Sequence, residues 1–259
     1  MKLTDTNYHS PEANREYWSV SQFKAFKDCP AAAMASLNGE YTRPMTDAFL
    51  MGCYLDAHFS GTMGRFSEEH PEIFNSRSGE LKSQYRKANA AITRAESDKV
   101  FTEYLSGQSQ VIMTGKLFGQ PWKIKVDSLH DDKIVDLKFM KDMGAVYRNG
   151  ERQPFVQGYG YDLQGFIYQE IVYQNTGNRL PFYLAVVTKE DPADIALIHV
   201  GDEFLNVNRG MVEHYLPEFQ AIKEGKEDPE RCGHCAWCRQ SKVLSEPVEY
   251  KTFIEEMEG

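Results

Sequence analysis

Two charged residues inside an apolar segment restrict the fold of this chain more than any other feature of its sequence. The segment IVDLKF, residues 134–139, has the pattern of a buried strand, yet it contains Asp136 and Lys138. An unpaired charge inside a buried strand is costly, so both side chains need partners or a ligand. Residues two apart on a strand point to the same face of a sheet, which places the carboxylate beside the ammonium group.

A second carboxylate, Asp127, ends the preceding segment KIKVD, nine residues before Asp136. Residues 110–139 shift towards an alternating pattern, which predicts three strands broken at 115–119 and 130–132. Antiparallel pairing across the second break would bring Asp127 and Asp136 to one end of a sheet. In the alternative interpretation, Asp127 is a turn residue and Asp136 and Lys138 lie on an exposed strand face, because Asp-x-Lys is common by chance.

Two carboxylates and a lysine on one face are what metal-dependent cleavage of a phosphodiester requires. Carboxylate oxygens are hard ligands that suit Mg²⁺. The metal stabilises the negative charge that develops on the phosphate and activates water. A lysine orients that water or stabilises the phosphate as a point charge. The segment therefore favours a phosphodiesterase site.

Around these strands the sequence predicts helices and two further strands. Apolar residues recur at helical spacing in residues 19–28, 48–59, 80–106, 155–174 and 202–223, and apolar runs at 181–190 and 195–200 predict strands. We expect an α/β fold in a single domain over residues 1–259, with N-terminal helices at 19–60, a catalytic core at 110–205 and a cysteine segment at 228–245. Residues 1–18 are expected to form a loose arm, and residues 60–79 and 141–155 to form loops.

Three of the five cysteines lie close together near the end of the sequence, as Cys232, Cys235 and Cys238. Thiols at this spacing in a protein without an export signal are typical metal ligands. The spacing C-x₂-C-x₂-C is that of iron–sulfur ligation, in which a more distant cysteine completes the set. A structural zinc site remains the alternative, although it usually shows two separated pairs. The candidates for the fourth ligand are Cys29, Cys53 and His234.

The net charge of −9 argues against a chain held on nucleic acid by bulk positive charge. It leaves room for a local basic track beside the acidic pair, formed by Lys123, Lys125, Lys133, Lys138, Lys141, Arg148 and Arg152. No apolar run is long enough for a membrane span, and the first residues lack the apolar region of a secretory signal. We therefore expect a cytoplasmic protein with no membrane partner.

The order of these motifs resembles that of the PD-(D/E)XK nuclease superfamily, and it is most similar to the RecB-like and RecE-like exonucleases. SVSQFKAFKDCP resembles their opening helix, LMGCYLDAHF a helix that supplies a further metal ligand, and YDLQGFIYQ their glutamine-containing helix. The resemblance covers roughly residues 19–240. It implies a restriction-endonuclease-like core, in which helices flank a central mixed sheet, and a Mg²⁺ or Mn²⁺ cofactor.

The resemblance also implies a role for each residue of the site. Asp56, Asp127 and Asp136 would hold the metal with the Leu137 carbonyl, Lys138 would serve the attacking water, and Gln164 would position it. Asp56 stands where relatives carry a ligand histidine, and His58 follows two residues later. Two residues apart on a helix point in different directions, so only one of them can serve, and the alignment favours Asp56. For Gln164 the alternative is a buried amide that satisfies a backbone group.

The cysteines resemble those of a subgroup of RecB-like nucleases, the AddB type and certain CRISPR-associated enzymes. There, one cysteine before the nuclease core and three after it bind a four-iron cluster. The resemblance implies that Cys29 joins Cys232, Cys235 and Cys238 around a 4Fe–4S cluster, which would connect the N-terminal and C-terminal segments.

The function implied is a metal-dependent exonuclease that resects the ends of linear double-stranded DNA in phage-type recombination, with a single-strand annealing protein as partner. An oligomer is compatible with the resemblance, since RecE-like relatives form rings. Aromatic residues near the N-terminus, Tyr17, Trp18 and Phe23, would stack on an unpaired base or serve as a packing anchor. The loop at 141–155 would face the substrate strand. The alternative function is a non-catalytic protein that binds DNA or a partner on a nuclease-derived scaffold.

Overall fold

The computed structural model describes residues 1–148, 150–244, 246–247 and 249–251. Its strands are β1 (Gln108–Leu117), β2 (Gln120–Leu129), β3 (Ile134–Met140), β4 (Val146–Arg148), β5 (Glu151–Gln153), β6 (Phe182–Thr188) and β7 (Ile195–Val200). Its helices are α1 (Pro11–Glu16), α2 (Val20–Asp28), α3 (Pro30–Leu37), α4 (Asp47–Phe59), α5 (Met63–Glu69), α6 (Arg86–Glu96), α7 (Lys99–Tyr104), α8 (Phe155–Gly158), α9 (Tyr161–Thr176), α10 (Asp202–Leu205), α11 (Asn208–Lys223) and α12 (Ala236–Gln240).

The central sheet has the strand order β1-β2-β3-β6-β7. β3 and β6 are parallel and the other neighbours are antiparallel, so the sheet is mixed. The predicted α/β fold with a central mixed sheet is confirmed, and so are the three strands within residues 110–139. The first turn is tighter than predicted: β1 runs to Leu117, and Phe118 and Gly119 make the turn with positive φ angles of 49° and 79°.

Strands β2 and β3 separate soon after the turn that joins them. They pair only at Ser128–Val135 and Leu129–Ile134. Near the start of β2, Trp18 lies along the edge that faces away from β1. Its N–H donates to the Pro121 carbonyl at 2.8 Å. The gap between β2 and β3 therefore opens beside Asp127 and Asp136, which would be the next pair in register.

Apolar side chains fill both faces of the sheet. On one face, α9 packs against β1, β2 and β6 through a core that includes Phe166, Ile167, Ile124 and Leu184. Gly165 is required there, because a Cβ at this position would lie 2.5 Å from the Phe182 ring. On the other face, α4, α6 and α7 cover β3 and β6 through a second core. Strand β3 is thus buried on both sides, and its charged residues need polar partners.

The N-terminal arm is packed rather than loose, which corrects the expectation for residues 1–18. Trp18 has no exposed surface, and α1 begins within the arm. Lys123 on β2 is only 1% exposed and donates to Asn14 Oδ1 at 2.7 Å and to the Tyr8 carbonyl. A buried lysine needs these acceptors, and the arm supplies them.

Two predicted loops also contain regular structure. Residues 60–79 include α5 and a turn of 3₁₀-helix at Pro71–Ile73, and residues 141–155 include the β4–β5 hairpin. None of the helices in the described part of the chain is both long and apolar enough to cross a lipid bilayer.

Candidate active site and cysteine cluster

Asp136 is the most deeply buried carboxylate of the site, with 1% of its surface exposed. Its Oδ1 accepts a hydrogen bond from Gln164 Nε2 at 2.5 Å, so Gln164 serves a site residue rather than the backbone. The Lys138 ammonium lies 2.5 Å from Oδ2. Oδ2 therefore forms an ion pair with Lys138 and has no further polar partner among the described residues. A buried carboxylate oxygen of this kind is suited to a cation.

Asp127 lies across the gap between β2 and β3. Its Oδ2 accepts a hydrogen bond from the Leu137 N–H at 2.8 Å. The N–H and C=O of one strand residue point to the same side of the strand, so the Leu137 carbonyl also faces this gap. The separation of the two strands is what frees both groups from the β-ladder.

Asp56 comes to the same place from helix α4. It lines one cleft with Asp127, Leu137 and Lys138. Its neighbour His58 points elsewhere, since His58 Nε2 lies 2.7 Å from a Glu96 carboxylate oxygen on α6. Of the two candidates on this helix, the structure brings Asp56 to the cleft and not His58.

One residue of the site, Gln110, was not singled out from the sequence. Its Nε2 donates to Asp56 Oδ1 at 3.0 Å, and its backbone has a φ of 54°. The register of β1 and β2 places Gln110 opposite Asp127, between the pairs Ser109–Ser128 and Val111–Val126. A residue with a Cβ in this conformation often marks a functional site. No sequence signal reveals it, because glutamine in a strand is unremarkable.

Crowding of the carboxylates changes their acidity. Burial raises the pKa of Asp127, and the charges of Asp136 and Asp56 raise it further. Burial also raises the pKa of Asp56, against the opposing effect of Lys125 and Lys138. For Lys138, burial lowers the pKa, but the charges of Asp136 and Asp127 outweigh it, so the net shift is upwards and the side chain stays charged.

The residues fit a hard divalent cation. The donors are carboxylate oxygens and one carbonyl, which are the ligands that Mg²⁺ and Mn²⁺ prefer. The excess of negative charge from three neighbouring carboxylates favours a cation as well. The carboxylate oxygens of Asp56, Asp127 and Asp136 are not all within 4.8 Å of one another, unlike the cysteine sulfurs described below.

Several other predicted contacts are not available to a substrate. Trp18 and Phe23 have no exposed surface, so they are packing anchors and not stacking platforms. Lys123 is buried against the N-terminal arm, and Lys125 pairs with Asp5 at 3.1 Å. Both lysines belong to the basic track that the sequence suggested as a phosphate-contact or solvated surface, and strand alternation alone cannot show that an arm covers them.

The four cysteines that the resemblance selected come together where α2 meets α3. The sulfur atoms of Cys29, Cys232, Cys235 and Cys238 all lie within 4.8 Å of one another. Among the residues that the structure describes, no other group of three or more cysteine, histidine or acidic residues brings its ligand atoms this close together. Cys53 instead lines the cleft beside Asp56, and His234 is not part of the group.

Local structure prepares these sulfurs for a metal. Cys29 separates α2 from α3, and the Ala31 N–H donates to the Glu230 carbonyl at 3.0 Å, which joins the two segments. Burial opposes ionisation of Cys232, but hydrogen bonds from the backbone amides of Cys235 and His234 outweigh it and lower its pKa to about 6. A thiolate is the metal-binding form of cysteine. The cluster therefore suits a soft metal centre, either iron–sulfur or zinc.

Comparison with known proteins agrees with this geometry. The sequence profile of the family described as "PDDEXK-like domain of unknown function (DUF3799)" matches residues 19–241. A crystal structure described as that of a putative exonuclease from Eubacterium rectale is 43% identical, has a TM-score of 0.93 and is matched over 98% of both chains. No curated protein matches the sequence.

The family match includes the separated strands β2 and β3, helix α9 and the cysteine segment. The structural match extends over nearly the whole chain, and it confirms the restriction-endonuclease-like fold expected from the motifs. This chain is therefore a member of the PDDEXK-like family DUF3799, within the nuclease superfamily that its acidic strand pair resembles.

Proposed function

We propose that this protein is a divalent-metal-dependent deoxyribonuclease that degrades linear double-stranded DNA from its ends. The observation that carries the proposal is the arrangement of Asp127, Asp136 and Lys138 where β2 and β3 separate. The similarity to a protein described as a putative exonuclease supports digestion from ends rather than internal cleavage.

Each side chain has a task in phosphodiester hydrolysis. Asp56, Asp127, Asp136 and the Leu137 carbonyl would hold Mg²⁺ or Mn²⁺, which supplies charge stabilisation at the phosphate and activation of water. The charged Lys138 ammonium is placed to hold the attacking water or to stabilise negative charge on the phosphate. Gln164 fixes the rotamer of Asp136 through its hydrogen bond to Oδ1, so that Oδ2 stays directed towards Lys138.

The cysteine cluster is proposed to hold a 4Fe–4S centre with a structural role. Its support is the C-x₂-C-x₂-C spacing together with a fourth cysteine from a distant part of the sequence. A tetrahedral zinc would use the same four sulfurs. An anaerobic preparation that is colourless and contains zinc would contradict the iron–sulfur assignment, whereas a brown protein with equivalent iron and sulfide would support it.

The proposed biological role is resection of DNA ends for recombination, with a single-strand annealing protein as partner. This role rests on the resemblance to RecE-like exonucleases. Resection of one strand leaves a single-stranded tail, which is the substrate that an annealing protein needs.

The test is a comparison of linear and covalently closed duplex DNA of the same sequence. With Mg²⁺, the wild-type protein should degrade the linear form and leave the closed form intact, and chelation should stop the reaction. End labels on the 5′ and 3′ strands, followed in parallel, would give the polarity. Loss of both forms would indicate an endonuclease, and no metal-dependent loss of either would favour the non-catalytic alternative.

A further inference from the structure

The catalytic cleft continues along helix α4 beyond its charged groups. Its lining there includes small and apolar residues, namely Ala48, Phe49, Gly52 and, from strand β3, Phe139. Phe49, Gly52 and Asp56 are spaced three and four residues apart, so they share one face of the helix. Phe49 is about 10 Å from Asp56 along the helix axis, with Gly52 between them. The cleft therefore has a charged end at the metal ligands and an apolar end at Phe49.

The backbone at Phe49 is held in place, although 57% of the residue is exposed. Its N–H donates to Thr46 Oγ1 at 3.2 Å, which caps α4. Lys189 Nζ donates to the Ala48 carbonyl at 3.2 Å and lies 4.9 Å from the centroid of the Phe139 ring. These contacts fasten the first turn of α4 to the sheet, and they keep an exposed ring at the mouth of the cleft.

Gly52 occupies the interior of α4, where the fold does not require a glycine. Its φ is not positive, and a Cβ built there would meet no atom of the described residues within 4 Å. Glycine destabilises the interior of a helix relative to alanine. The missing side chain leaves free space in the cleft, and glycine is the usual residue where a ligand approaches the backbone closely. Gly52 therefore indicates that a ligand passes over this part of α4.

The chemistry of the apolar end favours a nucleoside over a second phosphate. Among the described residues that line the cleft, Lys138 is the one cation, and it lies at the charged end beside Asp136. A phosphate held at that end carries a nucleoside on each side, because sugars link the phosphates of DNA. Aromatic rings stack on nucleic-acid bases irrespective of sequence. A sugar that passes over Gly52 would bring its base to Phe49.

We propose that the face of α4 formed by Phe49 and Gly52 is the nucleoside subsite of the catalytic cleft. Gly52 gives room to the sugar next to the scissile phosphate, and Phe49 stacks on the base of that nucleotide. This assignment rests on the proposed nuclease function, since it names the part of the DNA that lies beside the metal ligands. Phe49 contributes with any base, because every base presents a π-face.

The test compares duplex DNA that has normal ends with duplex DNA in which the terminal nucleotides of both strands are abasic. On normal ends with Mg²⁺, Phe49→Ala should release the first nucleotide at least about 5-fold more slowly than the wild type, the loss of one base stack. On abasic ends it should match the wild type, because no base is left to stack. Phe49→Trp keeps a stacking surface and should digest normal ends faster than Phe49→Ala does. The matched control is Phe204→Ala, which removes a half-exposed ring from α10 and should follow the wild type on both ends.

A second pair of variants tests the free space at Gly52. Gly52→Leu should slow digestion of normal ends by about tenfold or more, because a displaced substrate reacts poorly. Its Mn²⁺ affinity should stay at the wild-type value and its unfolding midpoint should not fall, since leucine is a good helix former. Gly210→Leu is the matched control. Gly210 is exposed on α11, a Cβ there also meets no atom within 4 Å, and this variant should digest DNA as the wild type does.

The proposal is overturned if Phe49→Ala digests normal ends as fast as Phe204→Ala does, if it slows normal and abasic ends equally, or if Gly52→Leu digests DNA as fast as Gly210→Leu. Binding of the same duplexes with Ca²⁺ in place of Mg²⁺ measures the nucleoside contact without cleavage. Absence of digestion by the wild type would contradict the nuclease proposal. The same ratio of affinities for the two kinds of end in the wild type and in Phe49→Ala would contradict the nucleoside subsite.

Discussion

At the level of single residues, Gln110 supports Asp56 from a backbone conformation that residues with a Cβ rarely adopt. The φ of 54° costs on the order of 1 to 3 kcal/mol, and the surrounding sheet maintains it. The hydrogen bond from its amide is the contact that gives this conformation a purpose. Residues that orient metal ligands in this way influence metal affinity without touching the ion.

Gln110→Gly should therefore weaken Mn²⁺ binding by about tenfold or more, the usual effect of losing such a partner. Its unfolding midpoint should stay the same or rise, because glycine adopts positive φ readily. Gln110→Ala should weaken binding equally and unfold at a lower temperature than Gln110→Gly. Calorimetric titration and thermal unfolding measure the two effects separately. Wild-type affinity in Gln110→Gly would show that the amide does not orient Asp56.

The residues of the site differ in how far they were predictable. Asp127, Asp136 and Lys138 stand out because charges at the end of an alternating strand and inside an apolar strand require an explanation, and Gln164 stands out through its resemblance to the glutamine-containing helix of related nucleases. The structure brings all four together. Gln110 does not stand out, since its role comes from a tertiary contact with α4 and from a backbone angle that no residue type announces.

At the level of elements, the buried Lys123 and the half-buried Lys223 hold the N-terminal arm and α2 in place. Lys223 on α11 donates to the Tyr17 carbonyl at 3.1 Å and to Gln22 Oε1 at 2.9 Å. Burial, with smaller contributions from Lys123 and Arg15, lowers its pKa from 10.5 to about 7. The sequence pattern predicted α2 but not the packed arm, because the arm is polar and its partners are buried cations from distant elements.

This lowered pKa predicts a stability that depends on pH. Between about 7 and 10.5 the unfolded chain binds more protons at this lysine than the folded chain does, so its contribution to stability rises with pH. The difference in unfolding midpoint between wild type and Lys223→Met should shift in favour of the wild type as pH increases across this window. The exposed Lys226→Met should show no such trend. A difference that falls with pH would contradict the assignment.

With the proposed metal centre bound, the cysteine cluster would cross-link α2 and α3 to the segment that contains α12. Cys29→Ala should lose the bound metal and lower the free energy of unfolding by about 2 to 5 kcal/mol, the range for a cross-link that closes a long loop. Cys53→Ala, in the catalytic cleft, should keep the metal. Metal analysis and denaturant unfolding provide the measurement. Full metal content in Cys29→Ala would remove Cys29 from the ligand set.

At the level of the whole molecule, the charged side chains are unevenly distributed. The net charge of −9 includes the three neighbouring carboxylates of Asp56, Asp127 and Asp136, which lie close enough to raise the pKa of Asp127. The order of helices and strands was predictable, because periodicity and turn residues are local. The separation of β2 from β3 and the packing of the arm were not, because they depend on contacts between residues far apart in the sequence. The hairpin was not predicted either, although the Asn149-Gly150 pair between its strands is a local turn signal.

The charged groups between β2 and β3 are proposed to catalyse phosphodiester hydrolysis. The most direct measurement is the Mg²⁺-dependent rate of digestion of end-labelled linear duplex by wild type, Asp136→Asn, Lys138→Met and a control, Asp132→Asn, in which the exposed carboxylate of the adjacent turn is neutralised. We predict that Asp136→Asn and Lys138→Met fold normally but lose about a hundredfold or more in rate, while Asp132→Asn digests DNA as the wild type does. Wild-type digestion by either Asp136→Asn or Lys138→Met would contradict the claim.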